Sequence, residues 1–249
     1  MLATAPDGRP VHFPDGPGGF AFDGEVAAVF DDMARRSLPG YAHLYGARLP
    51  RLVAAVPDPP RWCQVWDMGA STGRGLLAVR RGMPHPYVHY AGVDRSAPMR
   101  ERCQRAFPWA EVLDHDLTGG LPPAMTDGPA RSAVVLWCWT LQFLPDRRLR
   151  ADLLRRSADR LVPGGVMVVA EKWTLPRGEQ EEAQDAYIAW RRDRGYTAAE
   201  IEAKTAALAG VMDPWSPAEL EDVLAGCPGS TTLLYKLFNF GAVAFRKEA

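Results

Sequence analysis

Apolar and polar positions along the 249-residue chain change period in a regular way. After Asp23, the spacing of Val26, Val29, Phe30 and Met33 predicts an amphipathic helix that must stop at Pro39-Gly40. A second apolar stretch, 44–56, runs into the breaker Pro57-Asp58-Pro59-Pro60. Short apolar runs then alternate with helical patterns. Strands are predicted at 62–67, 88–93, 111–113, 132–138 and 166–171, and helices at 73–81, 98–107 and 146–161. Such β-α-β-α order specifies a parallel, doubly wound sheet covered on both faces, with ligands at the carboxyl ends of its strands. Pro163-Gly164-Gly165 supplies the sharp turn from helix into strand. Residues 179–212, charged and alanine-rich, hold more helix than a plain crossover requires; they read as one long helix or two, broken near Gly195-Tyr196 and lying over the site. The last two strands, 231–237 and 242–246, are joined by a link so short that they form a hairpin, which makes the final strand antiparallel. The expected organisation is a flexible tail at 1–19, rich in Gly, Pro and Asp, followed by one domain over 20–249. Within that domain, a helical lid spans 20–60 and a helical insertion about 176–212.

Composition narrows the class without naming a function. With 47% hydrophobic and 24% charged residues, the chain is ordinary for a globular protein. A net charge of -1 argues against a broad phosphate-binding surface, so nucleic acid is not an expected partner. No stretch reaches the roughly 18 apolar residues of a membrane span, and the N-terminus has no signal-peptide pattern, which leads to an expectation of a cytoplasmic protein that does not engage a membrane. Cys63, Cys103, Cys138 and Cys227 are scattered, so free thiols are expected in place of disulfides or zinc ligands. His85 and His89 are flanked by Pro84 and Pro86, which forbid a ligand-aligning helix, and no metal site is expected.

The chemistry gathers at strand ends. Val65-Trp66-Asp67-Met68 breaks into Gly69-Ala70-Ser71-Thr72-Gly73-Arg74-Gly75, a strand-to-helix turn where backbone must approach a ligand closely. The four-residue spacing from Gly69 to Gly73 differs from a dinucleotide G-x-G-x-x-G. Asp94, followed by Arg95, ends the second strand 27 residues after Asp67, where an acid meets ribose hydroxyls. Asp116-Leu117 follows the third strand, where a carboxylate or amide can meet an adenine edge. A tyrosine beside a helix end, Tyr41, fits either core filler or ligand contact.

These motifs resemble the class I S-adenosylmethionine (SAM) methyltransferase fold: Asp67 to Gly73 as its first motif, Gly92-Val93-Asp94 its second, Asp116 its third, and Leu161-Val162-Pro163-Gly164-Gly165 its turn before the fifth strand. Within it the chain is most similar to the carboxy-SAM synthase family, from Phe22 onward. Phe22-Asp23, Pro39-Gly40-Tyr41, Ser96-Ala97-Pro98-Met99, Thr140-Leu141-Gln142-Phe143-Leu144, Glu171-Lys172 and Phe238-Asn239-Phe240-Gly241 carry the match. The resemblance implies a seven-stranded, mostly parallel Rossmann-like sheet, SAM as donor or substrate, and a homodimer. It also implies a role for Tyr41 in closing the amino-acid end of SAM, with Asp67, Gly69, Ala70, Ser71, Gly73, Asp94, Arg95, Asp116, Leu117 and Cys138 lining the cofactor.

Two departures fall in the acceptor half of that pattern. Thr205 stands where the family has an arginine that clasps the transferred carboxylate, and Cys138, between Trp137 and Trp139, where it has an asparagine. A hydroxyl cannot make a charge-assisted bidentate contact. Facing alternation along the strand is read as leaving at most one of the two tryptophans in the site. Trp139, at the strand mouth, is the expected wall against the sulfonium, with Trp173 as a second wall and Tyr41, Cys138, Trp139 and Trp173 as the reaction-centre set. Tyr187, Glu171 and His115 are candidate bases, and Arg191, Arg192 and Arg194 form a solvated face, restore carboxylate binding or bind an anionic small acceptor. The first reading is a SAM-dependent methyl or alkyl transferase acting on a small molecule. The alternatives are cyclisation of SAM to azetidine-2-carboxylate and methylthioadenosine, carboxy-SAM synthesis from prephenate, and a non-catalytic SAM-fold subunit.

Overall fold

A computed structural model describes residues 20–57, 62–129 and 131–248; the tail expected at 1–19 lies outside them. In chain order the elements begin with α1 (Gly24–Ser37), α2 (Tyr41–His43), a π-helical turn (Leu44–Arg48) and α3 (Leu49–Ala54). The alternating part runs β1 (Gln64–Met68), α4 (Arg74–Gly82), β2 (His89–Asp94), α5 (Ala97–Ala106), β3 (Glu111–Asp114), α6 (Pro123–Thr126), β4 (Ser132–Cys138), α7 (Arg147–Arg160) and β5 (Leu161–Lys172). Then come α8 (Arg177–Arg192), α9 (Ala198–Leu208), α10 (Pro217–Ala225), β6 (Gly229–Leu237) and β7 (Phe240–Lys247).

The seven strands form one sheet in the order β3-β2-β1-β4-β5-β7-β6. The pairs among β1 to β5 are parallel, and β7 lies antiparallel between β5 and β6, as the hairpin link dictates. Chain order reverses between β1 and β4, the crevice where open α/β sheets bind ligands beyond their strand ends. The architecture is the seven-stranded, Rossmann-like sheet expected. Two cores cover it: Val65, Leu76, Val134, Leu136, Val166 and Val168 on one face, and Trp66, Met68, Val135, Trp137, Leu153 and Met167 on the other. This two-residue alternation is what buries β4 completely.

The lid forms because each end of α1 is fixed locally. Asp23 caps its start by accepting the Val26 amide at 2.9 Å, Leu38 ends it in extended backbone with its amide on the Ala34 carbonyl, and Gly40, at φ 85, then turns the chain so that Tyr41 opens α2. Val26, Ala27 and Met33 then pack against Met99 of α5 and Ala207 of α9. The insertion resolves into two helices, broken at Gly195 (φ 84) and restarted by a Thr197/Glu200 capping box. A further helix, α10, opens on a second capping box, Ser216/Glu219, which the sequence pattern did not single out. The four cysteines are free and buried. Among the described residues, no helix is long and apolar enough to cross a membrane.

Candidate functional site

The strand-to-helix turn after β1 is built from positive-φ backbone that most side chains resist. Gly69 and Gly73 sit at φ 83 and 81, with Ser71 between them at φ 47. The Gly69 and Ala70 amides both donate to the Val93 carbonyl at 2.9 Å, tying the turn to the end of β2. A Cβ on Gly69 would lie 2.4 Å from Thr140 Oγ1, and that hydroxyl is already fixed by donating to the Met68 carbonyl at 2.7 Å. Beneath the turn, buried Asp67 occupies the space a Cβ on Gly75 would take, at 2.3 Å. Burial, reinforced by the charge of Asp94, pushes the Asp67 carboxyl up to about 7.

At the end of β2 the Asp94 carboxylate accepts the Ser71 amide at 2.9 Å and the Ser96 amide at 2.8 Å, so it is held rigidly at the mouth of the crevice. Its burial raises its pKa against those two donors. Asp116 follows β3, accepts the Thr118 amide at 2.9 Å, and lies 3.9 Å from Arg95. Asp94, with lone pairs left beyond its two backbone donors, can take the hydroxyls of a ribose.

One open cavity of about 1250 Å³, counted to its solvent mouth, collects these groups under the lid. Of the residues expected at the site, it is lined by Tyr41, Gly69, Ala70, Ser71, Asp94, Arg95, Asp116, Leu117, Cys138 and Trp139. Asp67 and Gly73 shape the turn from behind without lining it. Trp173 is a correction: β5 carries it away from the cavity, its amide donates to the Asn239 carbonyl at 2.7 Å, and its indole lies under Gly241. There it lines a separate small cleft with Gln142, Arg150 and Glu171.

The tryptophans of β4 separate for a reason that facing alternation does not supply, since residues two apart on a strand face the same way. Trp137 is fully buried on the helix-covered face, its indole N–H donating to Ser157 Oγ at 3.2 Å. Trp139 lies beyond the last strand residue at φ 57, which swings it into the cavity wall. Its ring centroid is 5.3 Å from Tyr41 and 5.7 Å from Tyr45. Its indole N–H is buried with no hydrogen-bond partner among the described residues. Tyr45 comes from the π-helical turn, whose extra residue sets it edge-on to Tyr41 at 4.9 Å. Burial raises the phenols of Tyr41 and Tyr45 and the Cys138 thiol above their ordinary values.

The candidate bases are occupied elsewhere. Glu171 accepts three amides, those of Thr140, Leu141 and Gln142 at 3.0, 2.9 and 3.3 Å, and so pins the turn that carries Trp139. Tyr187 donates its hydroxyl to the Ser37 carbonyl at 2.7 Å outside the cavity lining, and His115, though lining, sits beside Asp116 with Nε2 2.8 Å from the Gly120 carbonyl. Thr205 donates to the Ile201 carbonyl one turn back at 2.6 Å and does not line the cavity. Arg191 is buried over the Tyr187 ring, 4.2 Å from its centroid, while exposed Arg194 covers Trp190 at 3.8 Å and Arg192 is exposed.

Several lining residues were missed. Phe20, Phe22, Phe30 and Met33 of the lid, Phe143 after β4, and Lys204, Leu208 and Met212 of the insertion complete the walls. Asp31 of α1 also latches the lid to the glycine turn, accepting Thr72 Oγ1 at 2.5 Å and Arg74 Nε at 2.8 Å; hydrogen bonds from Arg74 and Thr72 outweigh burial and hold its carboxyl below the usual range. Charge-assisted bonds of this kind contribute about 1.5–3 kcal/mol. Asp31→Asn is therefore expected to weaken ligand retention: the SAM Kd rises by about tenfold, mainly through faster release, measured by stopped-flow fluorescence. An unchanged release rate would show that the latch does not hold the lid.

No protein-family model matches the chain. It is 34% identical over 228 residues to the carboxy-S-adenosyl-L-methionine synthase of Marinobacter nauticus, covering 90% of this chain and 88% of that one. Against the synthase of the same name from Actinobacillus pleuropneumoniae serotype 7 it is 35% identical over 237 residues, covering 91% and 92%. Among solved structures, an O-methyltransferase family protein from Burkholderia thailandensis superposes with TM-score 0.58 at 14% identity, over 92% of this chain and 61% of that one. The plantazolicin methyltransferase BpumL, solved with a monoazolic desmethylPZN analogue and SAH, superposes with TM-score 0.57 at 10% identity, over 91% and 94%. At such identities the structures speak to the fold alone, whereas the synthases speak to the family.

Proposed function

The chain belongs to the carboxy-S-adenosyl-L-methionine synthase family, and from that premise we propose that it hands the methyl or another alkyl group of SAM to a small acceptor without making carboxy-SAM. It is a SAM-dependent transferase with a methyltransferase-type fold. The proposal concerns what becomes of the SAM.

The turn from Gly69 to Gly73 gives the methionine end a close backbone approach, Asp94 takes the ribose hydroxyls, and Asp116 with Leu117 faces the adenine. Tyr41, Tyr45, Cys138 and Trp139 then surround the sulfonium, where an indole face within about 6 Å of a cation contributes roughly 0.5–2 kcal/mol. The observation that carries the reading is Thr205. At the position where the resemblance puts a carboxylate-clasping arginine, this chain has a hydroxyl committed to its own helix and turned out of the cavity lining. Arg191, the buried arginine nearest in sequence, lies on Tyr187 and does not line the cavity, which counts against its restoring that clasp.

The three-ring box of Tyr41, Tyr45 and Trp139 favours a second reading, cyclisation of SAM to azetidine-2-carboxylate with release of methylthioadenosine. That reaction needs apolar walls and a folded methionine tail in place of an acceptor. Carboxy-SAM synthesis from prephenate ranks below both, and a non-catalytic role is disfavoured by the intact glycine turn. A cytoplasmic homodimer acting on a small molecule, apart from nucleic acid and membrane, completes the proposal.

The test is incubation of the purified protein with SAM, with and without prephenate, followed by mass spectrometry of the products. Acceptor-dependent S-adenosylhomocysteine is the expected result. Methylthioadenosine with an azetidine amino acid, formed without acceptor, would replace the transferase reading by the cyclase one. Carboxy-SAM appearing only with prephenate would overturn both.

A further inference from the structure

Methyl transfer to an O–H, S–H or N–H acceptor releases a proton, and the groups that line the cavity differ sharply in whether they can receive it. Asp94 is held by two backbone amides, and Asp116 and His115, the latter with Nε2 2.8 Å from the Gly120 carbonyl, lie at the adenine end. The aromatic phenols and the Cys138 thiol are weak acids held in burial. Lys204, only 6% exposed, lines the cavity from α9 on the lid side, with Nζ 2.7 Å from Ser37 Oγ. Ser37 Oγ in turn lies 2.8 Å from the Tyr196 hydroxyl, so the amine is held at one end of a buried two-hydroxyl chain.

We propose that Lys204 is the general base of the transfer, a catalytic role that rests on the acceptor-transferase reading above. Lys204 Nζ takes the acceptor's proton as the acceptor heteroatom's lone pair bonds to the methyl carbon and the electrons of the carbon–sulfur bond pass to sulfur. Lys204 is left as an ammonium held by the Ser37 hydroxyl, and S-adenosylhomocysteine and the methylated acceptor are the products. The acceptor class is a small molecule with an ionisable O–H, S–H or N–H and an apolar body fitting the aromatic wall.

The surroundings of Lys204 favour the uncharged amine. From α1 it faces Arg36, whose partner Asp32, at 2.6 Å, is turned to solvent. From α8 it faces Arg191, which lies over Tyr187, and from the α8–α9 link Tyr196; one turn back on its own helix, Glu200 accepts the Thr197 amide and hydroxyl on Oε2, while its buried Oε1 has no hydrogen-bond partner among the described residues. Burial first, then the charges of Arg191 and Arg36, push the Lys204 ammonium down to about 7. A lysine tuned so far down is suited to base catalysis at neutral pH, an effect that supplies typically about 10²–10⁴-fold in rate.

Two measurements test the assignment. Trace acetylation of the apoprotein across pH, read by peptide mass spectrometry, is expected to give Lys204 a reactivity midpoint near 7, with the other lysines higher. A midpoint at or above 10 would overturn the base and leave the transferase reading standing. In the second, wild type, Lys204→Met and Lys204→Arg are given SAM with 4-methylphenol, which must lose a proton, or with thiophenolate, which arrives ionised. The expected wild-type rate on the phenol rises through pH 7, and both variants lose it by about 10²-fold or more while keeping thiophenolate turnover and SAM Kd within about threefold. Rescue of the phenol rate by arginine would assign Lys204 to charge and not proton transfer, overturning the proposal. Absence of S-adenosylhomocysteine with either probe in wild type, beside acceptor-free methylthioadenosine, would remove the transferase reading and the base with it.

Discussion

Gly69→Ala is expected to abolish measurable SAM binding and to destabilise the protein. The residue sits at φ 83, a conformation that costs an L side chain about 1–2 kcal/mol. Its new Cβ would lie 2.4 Å from Oγ1 and 2.8 Å from Cγ2 of Thr140, a side chain fixed by its bond to the Met68 carbonyl. Thr140 cannot retreat freely, because Glu171 holds its amide and those of the next two residues. Overpacking of this kind typically costs a further ~1–3 kcal/mol. The strain falls on the one turn whose amides reach both the Val93 carbonyl and Asp94, so the glycine displacement should carry Ser71 off the carboxylate as well. Titration calorimetry with SAM should then show at least a hundredfold loss of affinity, and urea unfolding a loss of about 2–5 kcal/mol. Wild-type affinity in a destabilised Gly69→Ala protein would mean that the turn shapes the fold and not the ligand.

The frame of this site was legible in the sequence because its signals are local. Period-two runs, proline and glycine breaks, and acids at three successive strand ends fall where the sheet places β1, β2 and β3. What escaped depends on contacts between distant segments. Lys204 stands in an alanine-rich charged stretch that reads only as extra helix over the site, and it becomes an interior amine where α1 brings Ser37 against α9. Asp31 likewise resembles a surface helix acid until the glycine turn presents Thr72 and Arg74 to it across more than forty residues. Tyr45 was hidden by a π-helical turn, which shifts helix phase by one residue without a compositional mark. Trp173 misled in the opposite sense. The strand end before it suggested a wall of the site, yet the backbone pairing with Asn239 and the absent side chain of Gly241 draw its indole into the neighbouring cleft.

Trp139→Ala should separate the two tryptophans of β4 by their consequences. Removing an indole packed at 5.3 and 5.7 Å from Tyr41 and Tyr45 is expected to cost about 3–5 kcal/mol of stability, toward the lower figure because the vacated space opens into the cavity. Trp137→Ala, on the opposite face and fully enclosed, should cost at least as much. Only the Trp139 change should also reach the ligand. Loss of a π face contributing roughly 0.5–2 kcal/mol to a sulfonium corresponds to about a 2- to 30-fold rise in the SAM Kd. S-adenosylhomocysteine, a neutral thioether at that position, should lose much less affinity, and Trp139→Phe, which keeps a smaller π face, should fall between wild type and alanine. Calorimetric titration of SAM and S-adenosylhomocysteine against the variants gives the comparison directly. Equal losses for the two ligands would reduce Trp139 to a shape-filling wall, because the positive charge and the methyl group that comes with it are what distinguish them at the sulfur. A selective loss for SAM would tie the positive φ at Trp139 to function: that single departure from the strand brings the indole to the side of β4 where a cation can meet it.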